Sequence, residues 1–192
     1  MLNKINYEKA KKIYLPSFNI EVIFMPKDNY KTIIHPLEPF YRDDSKILIL
    51  GSFPSVKTRE YGFFYGHPQN RFWHVMEVLF KEELSGDIDE RKEFLARHKI
   101  ALYDSIYQCD IIGSSDASIK NVVASDLSKI IESADIREVF LNGGTSYKYY
   151  KKYHEKNLGL DGVKLPSTSP ANARYRLDDL VNEWKEILKY LD

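Results

Sequence analysis

Lys46-Ile47-Leu48-Ile49-Leu50 is an apolar run without alternation, and Gly51 ends it. A strand that alternates apolar and polar residues keeps one face in water, whereas an unbroken run has to be covered on both faces, the situation of a strand inside a parallel sheet. Ile100–Tyr103, Glu138–Leu141 and Val163–Leu165 are further short apolar runs, each followed by a loop. Between and after them lie helical stretches, Asn70–Phe80, Ile88–His98, Ala124–Ser133, Thr145–His154 and Arg174–Leu191. The alternation predicts a parallel sheet with helices on both faces. Ser125 is expected to cap the third of these helices and Asp135 to close the turn after it.

The 192 residues suit one domain with a proper core. Hydrophobic residues are 43% and charged residues 29%, with 28 Lys and Arg balancing 28 Asp and Glu. Such a chain is neither disordered nor a generic polyanion binder, so any nucleic-acid surface has to be local, with modest non-specific affinity that weakens with salt. Cys109 is the one cysteine, which excludes a disulfide framework and a four-cysteine zinc or iron–sulfur site. A reducing cytosol suits that usage, and no stretch reaches the ~20 apolar residues needed to span a bilayer, so the expectation is a soluble, cytoplasmic protein. The first part differs in character, with a short helix expected over Tyr7 to Tyr14 and an alternating strand over Asn19–Phe24. Residues 1–34 therefore read as an N-terminal extension and 35–192 as the main domain.

In open parallel sheets ligands bind where the strands end. Four loops sit there: Gly51 to Trp73, Asp104 to Asn121, Asn142 to Ser146, and Pro166 to Arg174. Their amides, hydroxyls, imidazole and aromatic rings suit recognition of a flat polar ring, and none has metal-ligand spacing. Asn142 and Gly143-Gly144 receive no chemistry, since they can end a strand and admit close packing. Lys57, Arg59, Lys120, Lys148, Lys151 and Lys152 read as a solvated face rather than as assigned phosphate contacts.

Two segments together, Gly51-Ser52-Phe53-Pro54-Ser55 with Gly66-His67-Pro68-Gln69-Asn70-Arg71-Phe72-Trp73, and Pro166-Ser167-Thr168-Ser169-Pro170-Ala171-Asn172-Ala173-Arg174, resemble the two signature motifs of the uracil-DNA glycosylase superfamily. The likeness is greatest to its deoxyinosine (hypoxanthine-DNA) glycosylase branch. It implies a three-layer α/β/α sandwich around a central, mainly parallel four-stranded sheet. It also implies a monomeric, cofactor-free base-excision repair enzyme without metal or iron–sulfur cluster, which flips a deaminated base out of damaged DNA and hydrolyses its N-glycosidic bond. No lysine in these motifs offers a Schiff-base route to strand cleavage.

Other branches usually place Asp, Asn or Glu third in the first motif, where this chain has Phe53; the resemblance to the deoxyinosine branch then moves the catalytic role to Asn70. An amide orients water and offers its oxygen to an oxocarbenium-like charge without acting as a base; Asn also suits a helix N-cap, and both roles fit here. The base pocket is expected to use Ser52, Phe53, Tyr65, His67 and Asp104, with Tyr65 stacking on the base while Phe72 and Trp73 serve the core. His67 either bonds the base or a phosphate, or satisfies its turn. Asp104, if ionised, accepts from the N1–H of hypoxanthine and repels the N1 acceptor of adenine, and it equally suits a loop cap. Ser55, Ser167, Thr168, Ser169, Ala171, Asn172 and Arg174 are expected to meet DNA, the last three with Ala173 as candidates for the wedge that fills the vacated stack; Ser169 with Pro170 equally suits a helix start. A uracil- or xanthine-directed enzyme of the same fold, a nucleotide-binding or nucleoside-hydrolysing protein, and a catalytically silent damage binder remain alternatives.

Overall fold

The computed structural model describes residues 11–15, 20–24 and 29–192. The chain divides into two compact units, 1–30 and 31–192. In the first, β1 (Lys11–Leu15) and β2 (Ile20–Phe24) form an antiparallel hairpin pairing Lys11 with Phe24 and Leu15 with Ile20. The expected strand is present. The expected helix over Tyr7 to Tyr14 is not: its last four residues lie in β1, and residues 7–10 lie outside the described residues.

In the second unit β3 (Lys31–Ile34) precedes β4 (Ile47–Gly51), α1 (Val56–Tyr61), α2 (Phe72–Phe80) and α3 (Ile88–Arg97). Next come β5 (Ile100–Asp104), β6 (Ile106–Ile111), β7 (Lys120–Ala124) and α4 (Ser128–Ser133). The chain ends with β8 (Glu138–Asn142), α5 (Gly144–Tyr153), α6 (Glu155–Leu158), β9 (Gly162–Leu165), α7 (Leu177–Trp184) and a 3-10 turn over Lys185–Tyr190. The central sheet has four parallel strands in the order β5-β4-β8-β9, as the apolar runs imply. Ile47, Leu48, Ile49 and Leu50 are all fully buried; because successive side chains point to opposite faces, both faces of β4 are covered. The fold is the expected α/β sandwich.

A second, antiparallel sheet, β3-β6-β7, occupies most of the stretch read as one long loop after Asp104. Its pattern was hidden because register shifts between Ile106, Gln108 and Asp110 break the period of two. Ile106, Cys109 and Ile111 face inward and pack with Phe53 and Tyr149 in a small second core. Lys31–Ile34, assigned to the extension from the sequence, pairs with β6 from Lys31↔Ile111 to Ile34↔Gln108 and so belongs to the main unit.

Tertiary pairing also moves helix ends. Ala124 closes β7, so α4 starts only at Ser128; Asp126 rather than Ser125 accepts from the Ser128 N–H, at 3.0 Å. Asp135 bonds the Asp43 carbonyl through its N–H at 3.3 Å and ion-pairs with Lys46. The last helix begins at Leu177, where the Asp179 carboxylate accepts from the Arg176 N–H at 2.9 Å. A helix that the sequence did not announce, α1, follows Ser55, whose hydroxyl accepts from the Thr58 N–H at 3.2 Å.

His154, at the end of α5, is buried and bonds the Ser105 carbonyl through Nε2 at 2.8 Å. Burial lowers its pKa, with the carbonyl opposing in part. A lowered folded-state pKa gives stability that is complete above the ordinary value of 6.5 and is lost as pH falls toward the folded value. Urea unfolding at pH 7.5 and 5.5 is expected to show lower stability at pH 5.5, and H154Q, which keeps an N–H donor but does not titrate, is expected to show a smaller loss over that interval.

Candidate active site

The strand order reverses at β4: its chain leaves toward β5, while β8 on its other side continues to β9. The two chains diverge and leave a crevice at the carboxyl edge. Register aligns Gly51 with Asp104 and Asn142 with Leu165 there. The crevice opens into a cavity of about 910 Å³ walled by all four loops expected to meet. Two glycines make the close approach feasible. A Cβ on Gly51 would sit 2.1 Å from Asp104 Oδ1, and one on Gly143, at φ +98°, would meet the Ser167 Cβ at 2.8 Å.

Tyr65 lines this cavity and adopts φ +55°, a left-handed conformation uncommon for an aromatic residue. Its ring stacks on Phe72, centroids 4.0 Å apart, and its buried hydroxyl has no well-formed hydrogen bond although Asp104 and Asn142 lie beside it. Burial, then the Asp104 charge, push the phenol pKa far up. Strained backbone and an unsatisfied buried hydroxyl cost free energy, which is typical of functional positions. Phe72 and Trp73 are core, as expected.

Asn70 lines the same cavity, and its Oδ1 accepts from the Phe72 N–H at 3.0 Å, capping α2. The cap uses one lone pair and fixes the side chain, leaving the second lone pair and the Nδ2 donors for the cleft. His67 is not brought to the cavity: its Nδ1 accepts from the Gln69 N–H at 3.1 Å, and its carbonyl accepts from the Asn70 N–H at 2.8 Å. Its Nδ1 thus serves the turn, one of the two roles open to His67. Phe53, expected at the base, is mainly a core residue 8% exposed, with part of its ring at the cavity wall.

The fourth loop is held by a residue given no role from the sequence. Arg71 Nη2 donates to the carbonyls of Ser169 at 2.7 Å and Asn172 at 2.9 Å, Nη1 to that of Tyr175, and the Arg71 N–H to that of Thr168 at 3.1 Å. The signal was present in its place beside Asn70, but a carbonyl clamp carries no pattern in the residues it binds. Asn142, also unassigned, closes the other side: its Nδ2 donates to Thr168 Oγ1 and its Oδ1 accepts from the Thr168 N–H, both at 2.9 Å. Thr168 is therefore fully buried and structural, which corrects its expected place on DNA. The Asn172 amide is likewise engaged, donating to the Ser167 carbonyl at 2.8 Å. The Ser55 hydroxyl caps α1, while Ser167 and Ser169 line the cavity with hydroxyls that accept from the backbone of their own turn. Ala171, Ala173 and Arg174 stand exposed.

Asp104, at the floor, is 5% exposed and bonds His35 through Oδ2, 2.8 Å from Nε2. Sequence reasoning gave His35 no role, because its partner lies 69 residues away. At the rim Ser52 Oγ reaches both oxygens of Asp116 at 3.2 Å, so the hydroxyl expected at the base is directed to a carboxylate. Asp116 is open to solvent, yet the surrounding walls push its pKa up, opposed by the Thr145 and Ser52 hydroxyls and reinforced by the Asp104 charge. No group of three or more His, Cys, Asp or Glu among the described residues could hold a metal ion. Burial, then Asp110, raise the Cys109 thiol to about 11, which makes it a core group rather than a nucleophile.

The profile of the uracil DNA glycosylase superfamily matches residues 38–192. A hypoxanthine DNA glycosylase of Methanosarcina barkeri is 31% identical over 156 residues, covering 79% of this chain and 95% of the relative. One of Methanosarcina acetivorans is 29% identical over 150 residues, 77% and 93% of the two chains. The solution NMR structure of an M. acetivorans protein described as a candidate uracil DNA glycosylase superposes with a TM-score of 0.69 at 27% identity, covering 81% of this chain and 96% of that one.

The Arg71 clamp predicts that R71K, which keeps the charge but not the planar fork, lowers unfolding stability by roughly 1–3 kcal/mol and exposes the 167–175 loop to faster proteolysis. Urea titration and limited digestion measure both; an unchanged cleavage rate in that loop would show that the clamp does not hold it.

Proposed function

The chain belongs to the uracil DNA glycosylase superfamily, and from that premise we propose that it is a monofunctional glycosylase that releases hypoxanthine from deoxyinosine in damaged DNA. The observation that carries this reading is the convergence of Tyr65, Asn70 and Asp104 on one cavity at the sheet edge. The flipped base stacks on Tyr65, already backed by Phe72; such stacking contributes ~1–3 kcal/mol per base and holds the base without choosing it. Asp104 makes the choice, its carboxylate accepting from the N1–H of hypoxanthine and rejecting adenine, which presents an acceptor there. Two relatives named for hypoxanthine, matched over most of their length, support that preference over uracil or xanthine.

As the C1′–N9 bond breaks, its electron pair leaves with the base and positive charge develops on the sugar. Asn70 faces that charge with its carboxamide oxygen and orients a water, whose oxygen bonds C1′ while its proton passes to solvent and the departing base takes one up. Ser167, Ser169 and Arg174 grip the flanking phosphates, and Ala171, Ala173 or Arg174 occupies the vacated stack. The enzyme works as a cytoplasmic monomer on this reading, and size-exclusion chromatography with light scattering checks the monomer.

Defined duplexes carrying deoxyinosine, deoxyuridine or deoxyxanthosine, incubated with chelator and then treated with alkali, test the whole. Alkali-dependent cleavage at deoxyinosine is expected, with none before alkali; no cleavage in any duplex, with or without a binding shift, would overturn the glycosylase reading. N70A is expected to reduce excision by roughly 100- to 1,000-fold. N70D keeps an acceptor for the Phe72 N–H, so comparing the two separates loss of the cap, which costs about 1 kcal/mol of stability, from loss of chemistry.

A further inference from the structure

Asp104 lies in a floor that does not suit a charge. Phe53, Phe64 and Tyr103 surround the His35 ring beside it, with centroids 5.7, 6.3 and 5.0 Å away. The side-chain exposures of His35 and Asp104 are 0% and 7%. What the base meets is set by where the two carboxylate oxygens point, since only an oxygen facing the N1–H of hypoxanthine accepts from it.

We propose that His35 is a positioning residue that holds Asp104 by one oxygen and aims the other at the base, and thereby sets the discrimination between hypoxanthine and adenine. This rests on the base-reading role given to Asp104 above. His35 Nε2–H donates to Oδ2, which leaves Oδ1 over Gly51, where only the absent side chain makes room for it. The other ring nitrogen is held as well, since Nδ1 lies 2.9 Å from the Leu37 carbonyl oxygen and 3.2 Å from the Leu37 nitrogen. As imidazole the ring accepts from that N–H, and as imidazolium it donates to that carbonyl. In either of these two states the proton on Nε2 is directed at Asp104, and the proposal requires one of them. Packing fixes the ring plane, with Phe53 meeting it at 87°. Phe53 thus fits a position where polar groups are usual: it supports the histidine that supports the carboxylate.

Single-turnover excision of hypoxanthine by the full chain tests this. H35A is expected to slow the excision step roughly 10- to 100-fold while the half-saturating DNA concentration changes little, because the phosphate grip lies in another loop. It should also narrow the ratio of deoxyinosine to deoxyadenosine cleavage. H35Q, with an amide N–H in place of Nε2–H, should recover most of the rate, and H35A should add little in a D104A background. Parental activity in H35A, or H35Q as slow as H35A in a folded protein, overturns the positioning role alone. Parental activity in D104A overturns the base-reading role beneath it. Imidazole nitrogen NMR of the unaltered chain decides the matter independently of any variant: a protonated, hydrogen-bonded Nε2 is expected, and an unprotonated Nε2 would mean that it does not donate to Asp104 and that the proposal is wrong.

Discussion

The divergence of β4 and β8 at the carboxyl edge is the constraint on which the rest of the molecule depends. Adjacent parallel strands whose chains turn the same way leave no opening, whereas these two turn apart and the crevice follows from connectivity. Its depth is then set by backbone proximity. Gly51 lets a carboxylate oxygen lie over the chain, and Gly143 lets the fourth loop come down on the third. Ser146 Oγ secures the junction by donating to the Leu50 carbonyl at 2.7 Å. The cavity is therefore framed by strand ends buried on both faces, the least deformable part of the chain.

On that frame the loops are tied both to one another and to the strand ends. Arg71 follows Asn70 directly, and its guanidinium collects carbonyls from Ser169, Asn172 and Tyr175. Asn142 grips Thr168 from the opposite side through two hydrogen bonds. The segment proposed to meet DNA is thus fixed relative to the residue proposed to act on the sugar, which lowers the ordering that such an encounter requires.

Much of this was legible in the residues. Apolar runs announced the four central strands, most plainly β4 and β5, where burial on both faces leaves a strong pattern in the side chains. The two motif segments announced which loops would meet, and Asn70 could be read as both helix cap and cleft residue. The antiparallel sheet was not legible, since bulges in β6 disturb its alternation and Tyr107 is exposed. Contacts to carbonyls are silent by nature: the threonine, serine, asparagine and tyrosine that Arg71 binds would offer the same oxygen whatever their side chains. His35 and Asp104 illustrate the remaining limit, for nothing local marks a pair 69 residues apart until β3 and β5 fix its two ends.

The charge layout resolves an apparent conflict in a site proposed for a polyanion. Carboxylates in a DNA-binding cleft repel phosphate, yet the chain is neutral overall and places Asp104, Asp116 and Glu183 along this cavity. Depth separates the two demands. Asp104 lies at the floor, where on the proposed reading only an extruded base reaches it, while the exposed Arg174 and the serine-rich turn stand where that reading puts the backbone. Asp116, nearer the rim, is the carboxylate whose pKa is raised and whose oxygens already accept from Ser52, so its repulsion is the most readily muted. A negative floor also favours the positive charge that develops on the sugar as the base departs, so the same field that would weaken binding of intact backbone stabilises the state in which the bond breaks.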